Sequence, residues 1–287
     1  MPPEVSELTV GLLQLRSPAT QAEAADHLEP RLREAAARGA RLIVTPEFTN
    51  FMERDDAKLR DRARTEDEDL VVLRARALAA ELGVWVLLGS VAVKGEDGRL
   101  ANRSLLLNDT GEIVAAYDKM HLFDLDLPDG RRVRESDTFA PGARPVVADT
   151  PWGPLGLSVC YDVRFPYIYR SLAQAGAAMI AVPAAFTRPT GRAHWELLVR
   201  TRAVETGAYV LAPAQGGEHE DGRRTWGRSM IVAPSGEIVV ADDGDEPGVL
   251  VATLDLGAVR QARGSMPAWA PTPHEPWTGT ATTGEGR

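Results

Sequence analysis

Cys160 is the only cysteine in this 287-residue chain, and it lies where an apolar run stops. Residues 155–159, Leu-Gly-Leu-Ser-Val, read as a buried strand, and Pro166 suits the first turn of a helix that follows. A thiol at such a corner can face a pocket while the backbone N–H groups beside it stay free, which is what nucleophilic acyl transfer requires. Alone, a free cysteine is ordinarily a small buried hydrophobe. Two further strand ends add chemistry. The strand at 41–45 runs into Thr-Pro-Glu-Phe and presents Glu47, and the strand at 112–117 runs into Tyr-Asp-Lys and presents Lys119. In open α/β sheets, functional groups gather outside the carboxyl ends of strands. A carboxylate there can take the thiol proton, and an ammonium group can favour the thiolate.

The elements that must position these groups follow from periodicity. Residues 8–15 read as a strand. Residues 20–38 place Ala22, Ala25, Leu28, Leu32 and Ala35 at helical spacing, and Gly39 ends the run. The acidic run at 66–69 fits the start of a helix reaching about Leu82. Strands are expected at 84–93, 102–107 and 112–117, and residues 124–145, rich in Pro, Gly and charge, read as a long ordered loop. Strand 155–159, helix 166–175 and strand 178–182 form a βαβ unit. A helix over 192–206 puts Trp195, Leu198, Val199 and Ala203 on one face, and strands follow near 208–213, 228–232, 237–241 and 248–254. Leu-Asn-Asp-Thr-Gly-Glu-Ile-Val (107–114) is echoed by Val-Ala-Pro-Ser-Gly-Glu-Ile-Val (232–239), and each reads as a β-hairpin. Two halves of similar plan predict two sheets packed face to face with helices outside.

Composition narrows the partners. A formal net charge of −9 argues against nucleic acid or an anionic membrane. One cysteine makes no internal disulfide, the start lacks the pattern of a signal peptide, and no apolar run has spanning length. A cytoplasmic location and a small-molecule substrate are expected. The five histidines show no metal-ligand spacing, and no phosphate loop or dinucleotide fingerprint is present, so neither metal nor cofactor is expected. Residues 1–268 read as one domain, and the Pro-, Thr- and Gly-rich residues 269–287 as an extended or disordered tail.

Three segments together carry a resemblance: Pro-Glu-Phe (46–48), Tyr-Asp-Lys-Met-His-Leu-Phe-Asp (117–124) and Val-Cys-Tyr-Asp-Val-Arg-Phe-Pro (159–166). From about Leu8 to about Pro267 the chain resembles the nitrilase superfamily of carbon–nitrogen hydrolases. The resemblance implies a four-layer α-β-β-α sandwich and a homodimer or higher homo-oligomer. It also implies Glu47 as general base, Lys119 as the amine that stabilises the intermediate, Cys160 as nucleophile, and Glu135 as a second glutamate that holds Lys119 and Glu47. Tyr161, through its backbone N–H, Arg164, Phe186 and Thr187 are expected on the substrate side, with Arg188 and Thr190 as further lining candidates. Arg164 is expected chiefly to pair with Asp162 and fix the loop, with attraction of a substrate carboxylate as the other role. His121 and His194 are expected to pack or hydrogen-bond. The segment at 182–206 resembles the Nit subgroup rather than aromatic or aliphatic nitrilases, and residues 212–219 lean toward deaminated-glutathione amidases. An ω-amidase acting on 2-oxoglutaramate or 2-oxosuccinamate is the nearest alternative, and a non-catalytic metabolite-binding protein the alternative of another class. Trp226-Gly227-Arg228 departs from the family's usual Tyr-Gly-His, which bears on local pocket or interface detail.

Overall fold

The computed structural model describes residues 6–95, 98–126, 130 and 132–270. Its first half runs β1 (Glu7–Gln14), α1 (Gln21–Ala37), β2 (Leu42–Val44), α2 (Asp56–Arg62), α3 (Leu70–Leu82), β3 (Trp85–Lys94), β4 (Leu100–Leu107) and β5 (Ile113–Asp118). Short strands β6 (Asp124–Asp126), β7 (Arg132–Arg134), β8 (Phe139–Ala140) and β9 (Val146–Ala148) lead to the second half. That half runs β10 (Leu155–Leu157), α4 (Pro166–Gln174), β11 (Met179–Ala181), α5 (Arg188–Thr206) and β12 (Tyr209–Ala212). It continues through β13 (Gly216–Glu218), β14 (Arg224–Trp226), β15 (Met230–Val232), β16 (Ile238–Ala241), β17 (Gly248–Asp255) and α6 (Gly257–Ser265).

The strands form two main sheets of one plan. One has the order β17-β1-β2-β3-β4-β5, the other β9-β10-β11-β12-β15-β16. In each, three central strands run parallel, with one antiparallel strand on one side and an antiparallel hairpin on the other. The sequence echo is a structural one. The Asn108 N–H donates to the Glu112 carbonyl at 3.0 Å, and the Ala233 N–H to the Glu237 carbonyl at 2.8 Å. Gly111 and Gly236 close these turns with φ of 79° and 85°, a conformation that glycine adopts without steric cost.

Side-chain alternation sets the layers. Along β1, Leu8, Val10 and Leu12 enter the core that holds the second sheet, while Leu13 packs with α1 and α3 through Leu28, Leu32 and Leu78. Trp195 and Val199 of α5 and Leu172 of α4 cover the outer side of the second sheet. The order of layers is therefore helix, sheet, sheet, helix, the expected α-β-β-α sandwich. The acidic run also behaves as expected: Asp69 caps α3, its carboxylate accepting from the N–H groups of Val71 and Val72.

Some short elements differ from expectation. Residues 124–145 are not a plain loop, because β6 and β7 pair there and a 3₁₀ turn follows at Glu135–Asp137. Helix α2, the β13–β14 hairpin and α6 also lie where no element was expected. At the far end the chain docks through Ala270: Arg170 donates to the carbonyls of Ala268 and Ala270, and the Arg263 guanidinium sits 4.6 Å from the Trp269 ring centroid. The rest of the expected tail lies outside the described residues.

Candidate active site

Glu47 sits in a tight turn beyond β2, at 2 % exposure. The turn is bound to β3: Thr45 Oγ1 accepts from Gly89 N–H at 2.9 Å, Ser90 Oγ from Phe48 N–H at 3.0 Å, and the Ser90 carbonyl from Thr49 N–H at 2.8 Å. Gly89 permits this approach. A Cβ there would lie 1.9 Å from the Thr45 carbonyl oxygen and 2.4 Å from Cβ of Pro183 on the other sheet. Gln215, from the second half, holds the same turn by donating to the Glu47 carbonyl at 2.9 Å.

Cys160 opens a 3₁₀ helix, Cys160–Arg164, directly beyond β10. Its φ is 48°, a strained value for a residue with a side chain. Phe48, the neighbour of Glu47, has φ 56°, so the backbone is strained beside both groups. The Cys160 N–H is anchored on the Pro183 carbonyl at 2.8 Å. The next N–H, that of Tyr161, lies in the first turn, where amide groups fall outside the helical ladder.

Lys119 lies just past β5 at 2 % exposure. Its Nζ is 2.9 Å from Glu47 Oε1 and 2.8 Å from Glu135 Oε2. Glu135 comes from the 3₁₀ turn after β7 and also accepts from the Phe123 N–H at 2.7 Å. Asp162 ties the Lys119 segment to the cysteine corner. This fully buried carboxylate accepts from Tyr117 Oη at 2.7 Å, His121 N–H at 3.0 Å and Val159 N–H at 2.8 Å, and His121 Nδ1 lies 2.6 Å from it. Glu47, Lys119, Glu135 and Cys160, the four residues that the resemblance implies, thus lie together at one place between the sheets.

The electrostatics of the four groups are coupled. Burial pushes the Cys160 thiol well above its usual pKa, and the Glu47 carboxylate, hydrogen-bonded to it, pushes the same way; the Lys119 charge and the Ala185 N–H oppose them without prevailing. Burial alone would depress the Lys119 ammonium, but Glu135, Glu47 and Cys160 together hold it well above the usual lysine range. The resting site therefore carries a protonated thiol beside a permanent ammonium and a proton acceptor. Such a set can generate a thiolate on demand and offer a cation to an oxyanion.

Comparison with known proteins gives the family. The pattern of the carbon–nitrogen hydrolases matches residues 9–264. The chain belongs to the carbon–nitrogen hydrolase family. A deaminated glutathione amidase of Yersinia enterocolitica is 38 % identical over 261 residues, covering 90 % of each chain. The crystal structure of the C. elegans NitFhit protein superposes with a TM-score of 0.86 at 32 % identity, covering 92 % of this chain and 64 % of that one. Saccharomyces cerevisiae Nit3, a member of branch 10 of the nitrilase superfamily, gives a TM-score of 0.79 at 27 % identity, covering 91 % of this chain and 95 % of that one. As a carbon–nitrogen hydrolase with relatives of this kind, the protein is an amidase. None of its helices among the described residues is long and apolar enough to cross a membrane.

Around the hydrolase's cysteine the substrate-side residues divide. Tyr161 stacks edge-on between Phe123 and Phe165, at ring distances of 5.1 and 5.3 Å. Arg164 does not pair with Asp162. The carboxylate is turned inward to Tyr117 and His121, while the guanidinium lies 5.1 Å above the Phe186 ring and 3.3 Å from His194 Nδ1. His121 stacks on Phe165 at 3.8 Å, and His194 keeps its hydrogen-bonding role. Thr187 and Thr190 bond each other's hydroxyl groups at 2.9 Å, and Arg188 is ion-paired with Asp245. Arg228 stacks 5.0 Å above Trp226, and its carbonyl accepts from Trp195 Nε1 at 2.9 Å, so the departure at 226–228 is absorbed on the α5 side of the fold. Asn102, Gln215 and the inward role of Asp162 were not anticipated. Asn102 did leave a signal: an asparagine inside an apolar strand, where that residue type is depleted.

Proposed function

We propose that this amidase hydrolyses the amide of a small 2-oxo acid of the deaminated-glutathione type through a thioester on Cys160. The observation that carries the reading is the buried Lys119 ammonium, clamped by Glu47 and Glu135 next to a protonated thiol. Glu47 takes the proton as sulfur attacks the carbonyl carbon. The new S–C bond puts negative charge on the carbonyl oxygen, which meets the Lys119 ammonium and the Tyr161 N–H. A single donor of this kind contributes about 10²–10³ in rate. Glu47 then passes its proton to the departing nitrogen, the C–N bond breaks, and the amine leaves. Water gives a proton to Glu47 and attacks the thioester; collapse returns the sulfur, which recovers its proton from Glu47.

The substrate class is supported by the name of the Yersinia relative and by Arg164, whose guanidinium faces Phe186 and His194 rather than a carboxylate. It is suited to bind a substrate carboxylate. Purified enzyme assayed side by side on deaminated glutathione and 2-oxoglutaramate is expected to prefer the first, and Arg164→Ala to raise KM more than it lowers kcat. Faster turnover of 2-oxoglutaramate would make the protein an ω-amidase; turnover of neither, with Cys160 still open to alkylation, would refute both. A second copy is the proposed cover for α5, where Leu197 and Val204 are 67 % and 56 % exposed. Leu197→Asp is expected to shift the protein to monomer in light scattering. The lone cysteine suits a reducing cytoplasm.

A further inference from the structure

Asn102 lies in β4 at 1 % exposure and touches three of the four groups of the site. Its Nδ2 donates to Glu47 Oε1 at 3.0 Å and to Glu135 Oε1 at 3.0 Å. Both amide hydrogens are spent on carboxylates. Its backbone carbonyl accepts from the Lys119 N–H at 3.0 Å. Its side-chain Oδ1 is buried and has no hydrogen-bond partner among the described residues. Buried polar atoms are nearly always partnered, so a lone acceptor at such a place asks for a reason.

The reason is the shape of the demand. Two carboxylates flank one ammonium, and each also takes a donor from Asn102. A lysine or arginine at 102 would add a second cation and compete with Lys119. An aspartate would add a third anion to a buried pair. A primary amide is neutral and carries two hydrogens in a fixed fork, at the cost of one oxygen left behind. We propose that Asn102 is the positioning residue that locks the Glu47 carboxylate so that Oε2 faces the thiol. Lys119 and Asn102 both bind Oε1, at 2.9 and 3.0 Å, which commits that oxygen and leaves Oε2 to accept the proton. Without the second donor the carboxylate is free to turn and present its lysine-bound oxygen, the weaker base. The shared amide also couples the tilt of Glu47 to that of Glu135.

This inference rests on the assignment of Glu47 and Glu135 made above, and the test separates the two. Asn102→Leu keeps the branched skeleton of the side chain and removes both donors and the unpartnered oxygen. The variant is expected to melt lower than wild type, because two buried carboxylates each lose a donor, to keep KM within about threefold, and to lose about 100-fold in kcat per titrated site, the scale of a misplaced reacting group. Asn102→Asp keeps the shape but donates only when protonated, so its kcat is expected to fall as pH rises, with the alkaline limb moved to lower pH than in wild type. A merely structural asparagine would also lower the melting temperature but leave kcat per titrated site and the pH profile of the folded fraction unchanged. Active-site titration by alkylation of Cys160, read by mass spectrometry, normalises each rate to intact enzyme. Wild-type kcat with a wild-type pH profile in folded Asn102→Leu overturns the proposal; if that variant does not fold, a wild-type profile in Asn102→Asp does so. Full activity in Glu47→Gln or Glu135→Gln instead removes the underlying assignment. An inactive Glu47→Gln beside a fully active Asn102→Leu leaves that assignment standing and sinks only the role of Asn102.

Discussion

Replacing Cys160 by alanine tests the electrostatics of the site without any substrate. The thiol is 8 % exposed and hydrogen-bonded to Glu47, and both burial and that carboxylate hold its proton. In the unfolded chain a cysteine releases its proton near pH ~8.5. Below that value both states carry the proton and the thiol contributes no slope. Above it the unfolded state has lost the proton and the folded state has not. Folding stability then falls by about 1.4 kcal/mol per pH unit until the raised folded-state value is reached. Cys160→Ala has no such proton. The stability of wild type relative to the variant is therefore expected to be nearly flat from pH 7 to 8.5 and to fall above that, by at most about 1.4 kcal/mol per pH unit. Lys119 does not disturb the comparison. Its stabilising charge is fully present below the ordinary lysine value of about 10.4 and is lost only as pH rises through its raised folded-state value, in both proteins. Urea unfolding in reducing buffer, followed by tryptophan fluorescence at pH 7, 8.5 and 10, measures the difference. A difference independent of pH would show that the folded site does not hold the thiol proton, and the account of a resting thiol activated by Glu47 would fail with it.

Two further substitutions probe how the site is held. Gly89→Ala drives a methyl group against the Thr45 carbonyl and Pro183; it is expected to cost about 1–3 kcal/mol or more and to lower kcat by displacing the Glu47 turn, and an unchanged melting temperature and rate would refute the close approach. Asp162→Ala leaves the buried Tyr117 hydroxyl and the Val159 N–H without their acceptor, at about 1–3 kcal/mol each. It is expected to lower stability by about 3 kcal/mol in denaturant titration and to slow turnover as the Lys119 segment loosens; stability within error of wild type would contradict the role given to this carboxylate.

Much of this was legible before any coordinates. Glu47, Lys119 and Cys160 follow strands whose apolar runs are unambiguous, and strand ends are where sheets of this class place their chemistry. The hairpin echo pointed correctly to two sheets, because a turn that requires a left-handed glycine constrains its neighbours in sequence. What stayed hidden is of another kind. Strands β6 and β7 alternate charged with apolar residues and are no more than half-buried, so Asp124, Asp126, Arg132 and Arg134 masked them as loop. The β13–β14 hairpin opens with two glycines, a poor strand signal. Arg164 and Asp162 are two residues apart and of opposite charge, which suggests a pair. The 3₁₀ turn instead sends one toward Phe186 and the other into the core. Gln215 acts across the two halves, and Asn102 reaches carboxylates 55 and 33 residues away in sequence, relations that no local pattern encodes.

The pairing of β17 with β1 has a consequence for biosynthesis. Residues 248–255 lie along residues 7–14 over the full length of both strands. A ribosome must therefore emit residues 15–247 before β1 acquires its outer neighbour. Until then that early strand waits with one row of amides and carbonyls open to any passing extended segment. Vectorial emergence cannot finish this sheet by itself, because β17 must return across the intervening residues to pair with β1.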